Sequence, residues 1–317
     1  MIMLNNAKVL VVGDIILDRY IWGSIERVSP EAPVPILDVK KKTSVLGGAA
    51  NVANNLLALG AAPILCGVID GSDGLEVQDL MTLVGLTCKG LHFDVNRRTT
   101  VKTRIMCGEH QTLRIDEETR EPISSGTVLN IIRFFDKIIE DIDIIVLSDY
   151  NKGVLTKGLV DHIIEKAWER EVKVIVDPKP MNMGMFRRSY LMAPNLKELE
   201  AFCNHHIKDD IDLADSARIA KTMCGCSNII ITLGAEGMLV VDSDNDGIHI
   251  HTTAKEVYDV CGAGDTVMAA LAIGIASGMP VYEAAKLATI AAGIAVSKVG
   301  TAVVTRKELE EAHNGRR

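Results

Sequence analysis

The segment Ile142-Asp143-Ile144-Ile145-Val146-Leu147-Ser148-Asp149 is followed by a helical stretch from Leu159 to Arg170. Lys173-Val174-Ile175-Val176-Asp177-Pro178 comes next. The first and third pieces are short, aliphatic and mostly β-branched, as strands buried on both faces are. Strand, crossover helix and strand at this spacing make a βαβ unit, which sets its two strands parallel. The same alternation runs outward in both directions. Lys8 to Gly13 reads as a strand, and Ile64 to Val68 as another. Gly48 to Leu59 has helical spacing (Ala49, Val52, Ala53, Leu56, Leu57) and stops at Gly60, a C-terminal cap. A helix runs from Glu198 to Asn204, a strand from Asn228 to Leu233, and two Ala-rich helices close the chain. The fold expected is α/β: a doubly wound, mostly parallel sheet flanked by helices.

Sheets of this kind bind ligands beyond the C-terminal ends of their strands. Polar residues collect at those ends: Gly13-Asp14, Ser148-Asp149, Asp177-Pro178-Lys179, Pro194-Asn195 and Thr232-Leu233-Gly234. Two segments break the alternation. Val34 to Val39 and Thr99 to Ile115 carry period-two patterns, such as Val101/Thr103/Ile105 against Lys102/Arg104. They read as a small separate sheet forming a lid over the cleft, or else as an antiparallel extension of the main sheet. With no repeat or long linker, residues 1–317 are expected to be one domain, with lid strands inserted near 20–46 and 97–116.

Composition narrows the functional classes. A net charge of -8 and no basic stripe argue against nucleic acid as a partner. Apolar content of 48% with 4% aromatics fits a core of aliphatic and small residues. Val9 to Val12 is too short for a secretory leader, and no apolar run has the length of a membrane span. Seven scattered cysteines suit reduced thiols, and Cys224-Gly225-Cys226 lacks the second pair a zinc site needs. A cytoplasmic protein is expected.

The chemistry concentrates in Asp259-Val260-Cys261-Gly262-Ala263-Gly264-Asp265-Thr266, which opens an apolar helix. Backbone N–H groups at Cys261, Gly262, Ala263 and Gly264 would face an anion at the helix N-terminus. Asp265 on the same turn is placed to take a proton from a hydroxyl under phosphorylation; the alternative is an acid capping a helix after a glycine turn. Gly47-Gly48-Ala49-Ala50-Asn51 lies where an extended segment becomes a helix, with glycines that allow close approach and an amide suited to hydroxyls. Asn195-Leu196-Lys197-Glu198 opens a helix, either to hold hydrated Mg²⁺ near phosphate oxygens or simply as a helix start. Thr232-Leu233-Gly234-Ala235-Glu236-Gly237 reads as a phosphate-facing turn or as a hairpin. Neither GxxxxGK[ST] nor GxGxxG after the first strand occurs, which argues against P-loop and dinucleotide enzymes. Lys102, Arg104 and Arg114 on the lid of an acidic protein suggest an anionic substrate such as a sugar phosphate.

Taken in order, Gly47-Gly48-Ala49-Ala50-Asn51, Asn195-x-x-Glu198 and Asp259-x-x-Gly262-Ala263-Gly264-Asp265 resemble the ribokinase-like (PfkB) carbohydrate kinases over almost the whole chain. Val11-Val12-Gly13-Asp14 through Asp18-Arg19-Tyr20, Val28-Ser29-Pro30-Glu31-Ala32-Pro33-Val34-Pro35, Leu147-Ser148-Asp149-Tyr150-x-Lys152-Gly153, Asp177-Pro178-Lys179 and Glu256-Val257-Tyr258-Asp259-Val260 are similar to the heptose-7-phosphate kinases of lipopolysaccharide precursor synthesis. That resemblance implies ATP and Mg²⁺, with Asp265 as base and Glu198 near the metal through water. It implies nucleotide contacts at Asn195, Leu196, Lys197, Glu198, Thr232, Gly234, Glu236 and Gly237. Sugar-phosphate contacts are implied at Asp14, Asp18, Gly47, Gly48, Asn51, Lys102, Arg104, Arg114, Asp149, Lys152, Asp177 and Lys179. It further implies a homodimer joined through the lid sheets, and a kinase unit without the adenylyltransferase to which some relatives are fused. Cys261 stands where threonine is commoner in the family.

Overall fold

The structure is a computed structural model that describes residues 6–108, 110–252, 258–298, 300 and 302–314. Glu256 and Val257, part of one quoted motif, lie outside the described residues. The strands are β1 (Lys8–Gly13), β2 (Ile15–Val28), β3 (Pro35–Gly48), β4 (Ala62–Ile69), β5 (Gly90–Phe93), β6 (Thr100–Cys107) and β7 (His110–Glu117). They continue as β8 (Ile144–Ser148), β9 (Lys173–Asp177), β10 (Leu191–Met192), β11 (Asn228–Thr232), β12 (Met238–Val241) and β13 (Asp246–Ile250). The helices are α1 (Ala49–Ala58), α2 (Asp73–Val84), α3 (Ser125–Ile138), α4 (Lys157–Glu169), α5 (Leu196–Cys203), α6 (Asp210–Cys224), α7 (Ala263–Ala276), α8 (Val281–Val296) and α9 (Arg306–Asn314).

Nine strands form one sheet in the order β13-β12-β11-β10-β9-β8-β1-β4-β5. All neighbours from β11 to β5 run parallel, and β12 and β13 add an antiparallel edge. The period-two geometry of a strand sends alternate residues to opposite faces. Val9 and Val11 of β1 join the core under α1, α7 and α8, while Leu10 and Val12 join the core under α3, α4, α5 and α6. Strand order reverses between β1 and β8, so the crevice beyond Gly13 and Ser148 is the topological switch point where such sheets take ligands.

A second sheet of four strands, in the order β3-β2-β6-β7, rises from that crevice. It is separate from the large sheet, which decides between the two readings of the period-two segments. β2 follows β1 with only Asp14 between them, and β3 runs directly into α1. The lid strands expected near 20–46 take in β2 only from Tyr20 on: its residues pass from buried to exposed along its length, so no single alternation marks its start. The polar helix α9 also goes unsignalled, since only Leu309 along it is buried. Among the described residues no helix is long and apolar enough to cross a membrane.

Candidate active site

Helix α7 starts where Gly262 takes a left-handed conformation (φ 77°), and no side chain caps it. The kink closes a turn in which the Ala263 N–H donates to the Val260 carbonyl at 3.2 Å. The Cys261 N–H donates to Asp259 Oδ1 at 2.9 Å. These two amides, expected to face an anion, are therefore already engaged. Among the described residues the N–H groups of Gly262, Gly264 and Asp265 have no protein acceptor, so the open donors lie partly one residue further along than the sequence suggested.

Asp265 sits on the first turn of α7, 4% exposed. Its Oδ2 accepts from Asn51 Nδ2 at 2.7 Å and its Oδ1 from the Tyr150 hydroxyl at 2.8 Å. Burial pushes its carboxyl up to about 6, against the pull of those two donors. Asn51, expected to meet substrate hydroxyls, gives one of its two amide N–H donors to Asp265. It is steadied by Asn55, whose Nδ2 donates to Asn51 Oδ1 at 3.2 Å and whose Oδ1 accepts from Thr266 Oγ1 at 2.9 Å. This amide chain ties α1 to α7.

Tyr150 is held by the loop after β8. Asp14 Oδ2 accepts from the amides of Tyr150 (2.9 Å) and Lys152 (3.0 Å), and its Oδ1 from that of Val154 (3.1 Å). Asp149 accepts from Asn151 N, Lys179 N and Asn182 Nδ2 at 2.8, 3.0 and 2.9 Å. Both carboxylates, 1% exposed, satisfy amides stranded where the chain leaves the sheet, and in this structure they fix loops. Burial raises the Asp14 carboxyl despite its three donors.

Lys179 Nζ meets Glu198 Oε1 at 2.5 Å and lies 5.4 Å from the Tyr150 ring centroid. Glu198 Oε2 accepts from Asn195 N and Asn195 Oδ1 from Glu198 N, a reciprocal capping box at the start of α5. Asn195 is thus the N-cap residue before α5, as in the helix-start reading of this motif. Asp177, beside this cluster, is pushed up to about 8, first by burial, with Glu198, Asp265 and Asp149 adding to it and Lys179 opposing.

Three cavities form one cleft across these groups. The first, about 210 Å³, is mainly apolar and is lined by Thr232, Gly234, Gly237, Gly264, Thr289 and Ala292. A middle one of about 160 Å³ shares Thr232 and Gly264 with it and adds Asp177, Lys179, Asn195 and Glu198. The third, about 200 Å³, shares Tyr150 with the middle one and contains Asp265. Leu196 packs into the core, while Lys197 is exposed; neither lines the cleft. Glu236 also stays outside it, on a hairpin between β11 and β12 where its carbonyl accepts from His249 Nε2.

The lid supplies the third cavity with Asp18, Lys102, Arg104 and Arg114. Register makes Asp18 the neighbour of Lys102, and Arg104 of Arg114. Arg104 Nη1 pairs with Asp18 Oδ1 at 2.5 Å, and Arg114 grips Asp116 through two bonds of 2.8 and 3.0 Å. Lys102 Nζ stands 3.9 Å from Asp116, and its ammonium is held below its usual range by burial and by neighbouring Lys152 and Arg114. Lys152 itself turns to Glu118 at 2.7 Å and does not line the cavity. Gly47 and Gly48 are required here. A Cβ at Gly48 (φ 57°) would lie 2.5 Å from the Asp14 carbonyl oxygen, and one at Gly47 would collide with the Asp18 carboxylate.

An apolar pocket, free amides at a helix start, a buried carboxylate and a cationic lid in one cleft suit phosphoryl transfer to an anionic acceptor. Comparison with known proteins agrees. The model of the pfkB family carbohydrate kinases matches residues 6–308. A protein named Bifunctional protein HldE from Trichlorobacter lovleyi is 42% identical over 306 residues, 96% of this chain and 62% of the relative. One of the same name from Desulfatibacillum aliphaticivorans is 41% identical over 309 residues, 97% of this chain and 63% of the relative. The chain thus spans less than two thirds of the length of these relatives. Among solved structures, phosphofructokinase-2 from Escherichia coli in complex with substrates and products superposes with a TM-score of 0.80 at 18% identity, over 98% of this chain and 99% of that one. Ribokinase from Arabidopsis thaliana with ribose and ATP gives 0.76 at 18%, over 97% and 99%. The chain belongs to the pfkB family and is a carbohydrate kinase.

Proposed function

We propose that this kinase transfers the γ-phosphoryl group of ATP to the anomeric hydroxyl of D-glycero-D-manno-heptose 7-phosphate, giving the 1,7-bisphosphate. The observation that carries this reading is the lid. Lys102, Arg104 and Arg114 converge on the cavity that contains Asp265, so a phosphorylated sugar can lodge its phosphate at the lid and its hydroxyl at the base. The HldE relatives, about 40% identical, support the same reading. The apolar cavity beside Thr289 and Ala292 would take the adenine, and the middle cavity the phosphates.

Asp265 accepts the proton of the attacking hydroxyl, while the amides of Gly264 and Asp265 stabilise charge on the transferred group. A carboxyl near 6 is ionised at neutral pH and more basic than a surface aspartate. Glu198 has both oxygens engaged, by Lys179 and by Asn195 N. Among the described residues no cluster of three acidic, His or Cys side chains forms a metal cage. The donor set therefore fits a hydrated ion carried by the triphosphate, with Glu198 reaching it through water. When bound, Mg²⁺ would neutralise charge on the phosphates.

We also place the protein in the cytoplasm, where ATP is available, and join two copies through the lid, which exposes Val28, Val39, Leu113 and Ile115. Light scattering on an Ile115→Asp variant that stays dimeric would remove the lid contact.

ADP release is the direct test, with heptose 7-phosphate, sedoheptulose 7-phosphate, fructose 6-phosphate, ribose and adenosine as acceptors. Turnover confined to the manno-heptose phosphate is expected, and Asp265→Asn should lower it by about 10²–10⁴-fold. Preference for another acceptor overturns the substrate; near wild-type turnover by Asp265→Asn overturns the base.

A further inference from the structure

At the edge of the large sheet opposite the cleft, where β9, β10 and β11 begin, another cavity of about 210 Å³ opens. Trp168 near the end of α4, Lys173 at the start of β9, and Arg188 and Tyr190 on the approach to β10 line it, with Glu171 and Ser227. The Lys173 ammonium lies 4.5 Å from the Tyr190 ring centroid, and the Arg188 guanidinium 4.4 Å from that of Trp168. Among the described residues neither cation forms an ion pair. Lys166 and Arg170, on and just after α4, both do, with Glu169 and Glu140. Stacking on a ring fixes a cation in place while leaving the edge of a guanidinium free to donate.

The backbone here is strained as well. Arg188 (φ 68°) is one of the four described non-glycine residues in the left-handed region and lines this cavity; Glu171 (φ 56°), also lining it, takes that conformation as the Schellman cap that ends α4. Glycine would relax either turn, yet at position 188 it would delete the guanidinium. Trp168 remains 64% exposed over the opening, an unusual place for a large ring in a chain with two tryptophans. Two cations stacked on rings and outside any ion pair, aromatic walls and a strained Arg188 in one concavity are features of a ligand site.

We propose that this cavity is a second anion site, built for the phosphate of a small phosphorylated ligand and separate from the catalytic cleft. Lys173 and Arg188 bind the phosphate oxygens, and Trp168 and Tyr190 enclose the remainder. The site has a mechanical link to the cleft. β9 runs from Lys173 to Asp177, and β11 follows Ser227 and ends at Thr232, so two strands that begin at this cavity deliver residues to the catalytic side.

Calorimetric titration with inorganic phosphate, pyrophosphate and AMP tests the site, comparing wild type with Arg188→Gly and with Lys173→Ala/Arg188→Ala. Glycine suits the left-handed turn, so Arg188→Gly should keep or raise Tm and keep kcat. The expected result is one fewer saturable anion-binding event per chain in both variants, or a Kd weakened at least tenfold. Loss of the event for all three probes indicates a general phosphate site, and loss for AMP alone a nucleotide site. Titrations that superimpose for wild type and both variants would overturn the proposal.

Discussion

Replacing Tyr150 by phenylalanine removes one hydroxyl and leaves the ring packed as before. That hydroxyl donates at 2.8 Å to Oδ1 of a carboxylate that is 4% exposed. A hydrogen bond to a charged group is worth about 1.5–3 kcal/mol, and about 1.4 kcal/mol is one pKa unit. The carboxyl of Asp265, at about 6 in the wild type, should therefore rise by roughly one to two units. Because the ionised form is the base, a higher pKa moves the acid limb of kcat to higher pH. At pH 7 the ionised fraction falls from roughly nine tenths to between a half and a tenth, and the rate with it. At pH 9 the base is again ionised and the rate should recover to within about twofold. The assay is kcat against pH from 5 to 9.5 at saturating ATP and sugar phosphate. A loss equal at every pH, or an acid limb that stays in place, would refute the claim that Tyr150 acts by holding Asp265 ionised.

Arg114→Ala takes one cation from the lid and spares the buried Arg104–Asp18 pair. KM for the sugar phosphate should rise on the order of tenfold or more with little change for ATP, and equal effects on both would count against the lid assignment. Ala292→Phe fills part of the apolar cavity and should raise KM for ATP at least tenfold while sparing the sugar phosphate; inhibition kinetics with ADP report the same site. Asn55→Ala breaks the amide chain between α1 and α7 and should cost about 1–3 kcal/mol in urea denaturation with an unchanged m value. A cost under about 0.5 kcal/mol would show that Thr266 and Asn51 find other partners.

Of the parallel strands of the large sheet, β5 and β10 were too short to be read, whereas β1, β4, β8, β9 and β11 were legible because each is a short aliphatic run with one environment along its length. The start of β2 was not, because half of that strand belongs to the core and half to the lid. The glycine turn and Asp265 could be read locally, since a helix start and its first acid are neighbours in sequence. What holds the Asp265 carboxylate is not local. Asn51 lies 214 residues from Asp265 and Tyr150 lies 115 away, and only the switch point of the sheet brings them together. Asp14 and Asp149 illustrate the converse. Their strand-end positions suggested substrate contacts, yet a strand end also strands backbone amides, and those amides occupy the carboxylates. Tyr150 appeared in the sequence only inside the Leu147-to-Gly153 motif, with nothing local to give it a role.

One residue, Asp14, separates the last core residue of β1 from the first lid residue of β2. The small sheet is tied to the rest of the chain there, at the β3–α1 junction, and through residues 94–99 and 118–124. The same side chain grips three amides of the loop that carries Tyr150, whose hydroxyl in turn touches the base. Asp14 therefore connects the β1–β2 junction, through the loop it fixes, to the hydrogen bond that Tyr150 makes with Asp265.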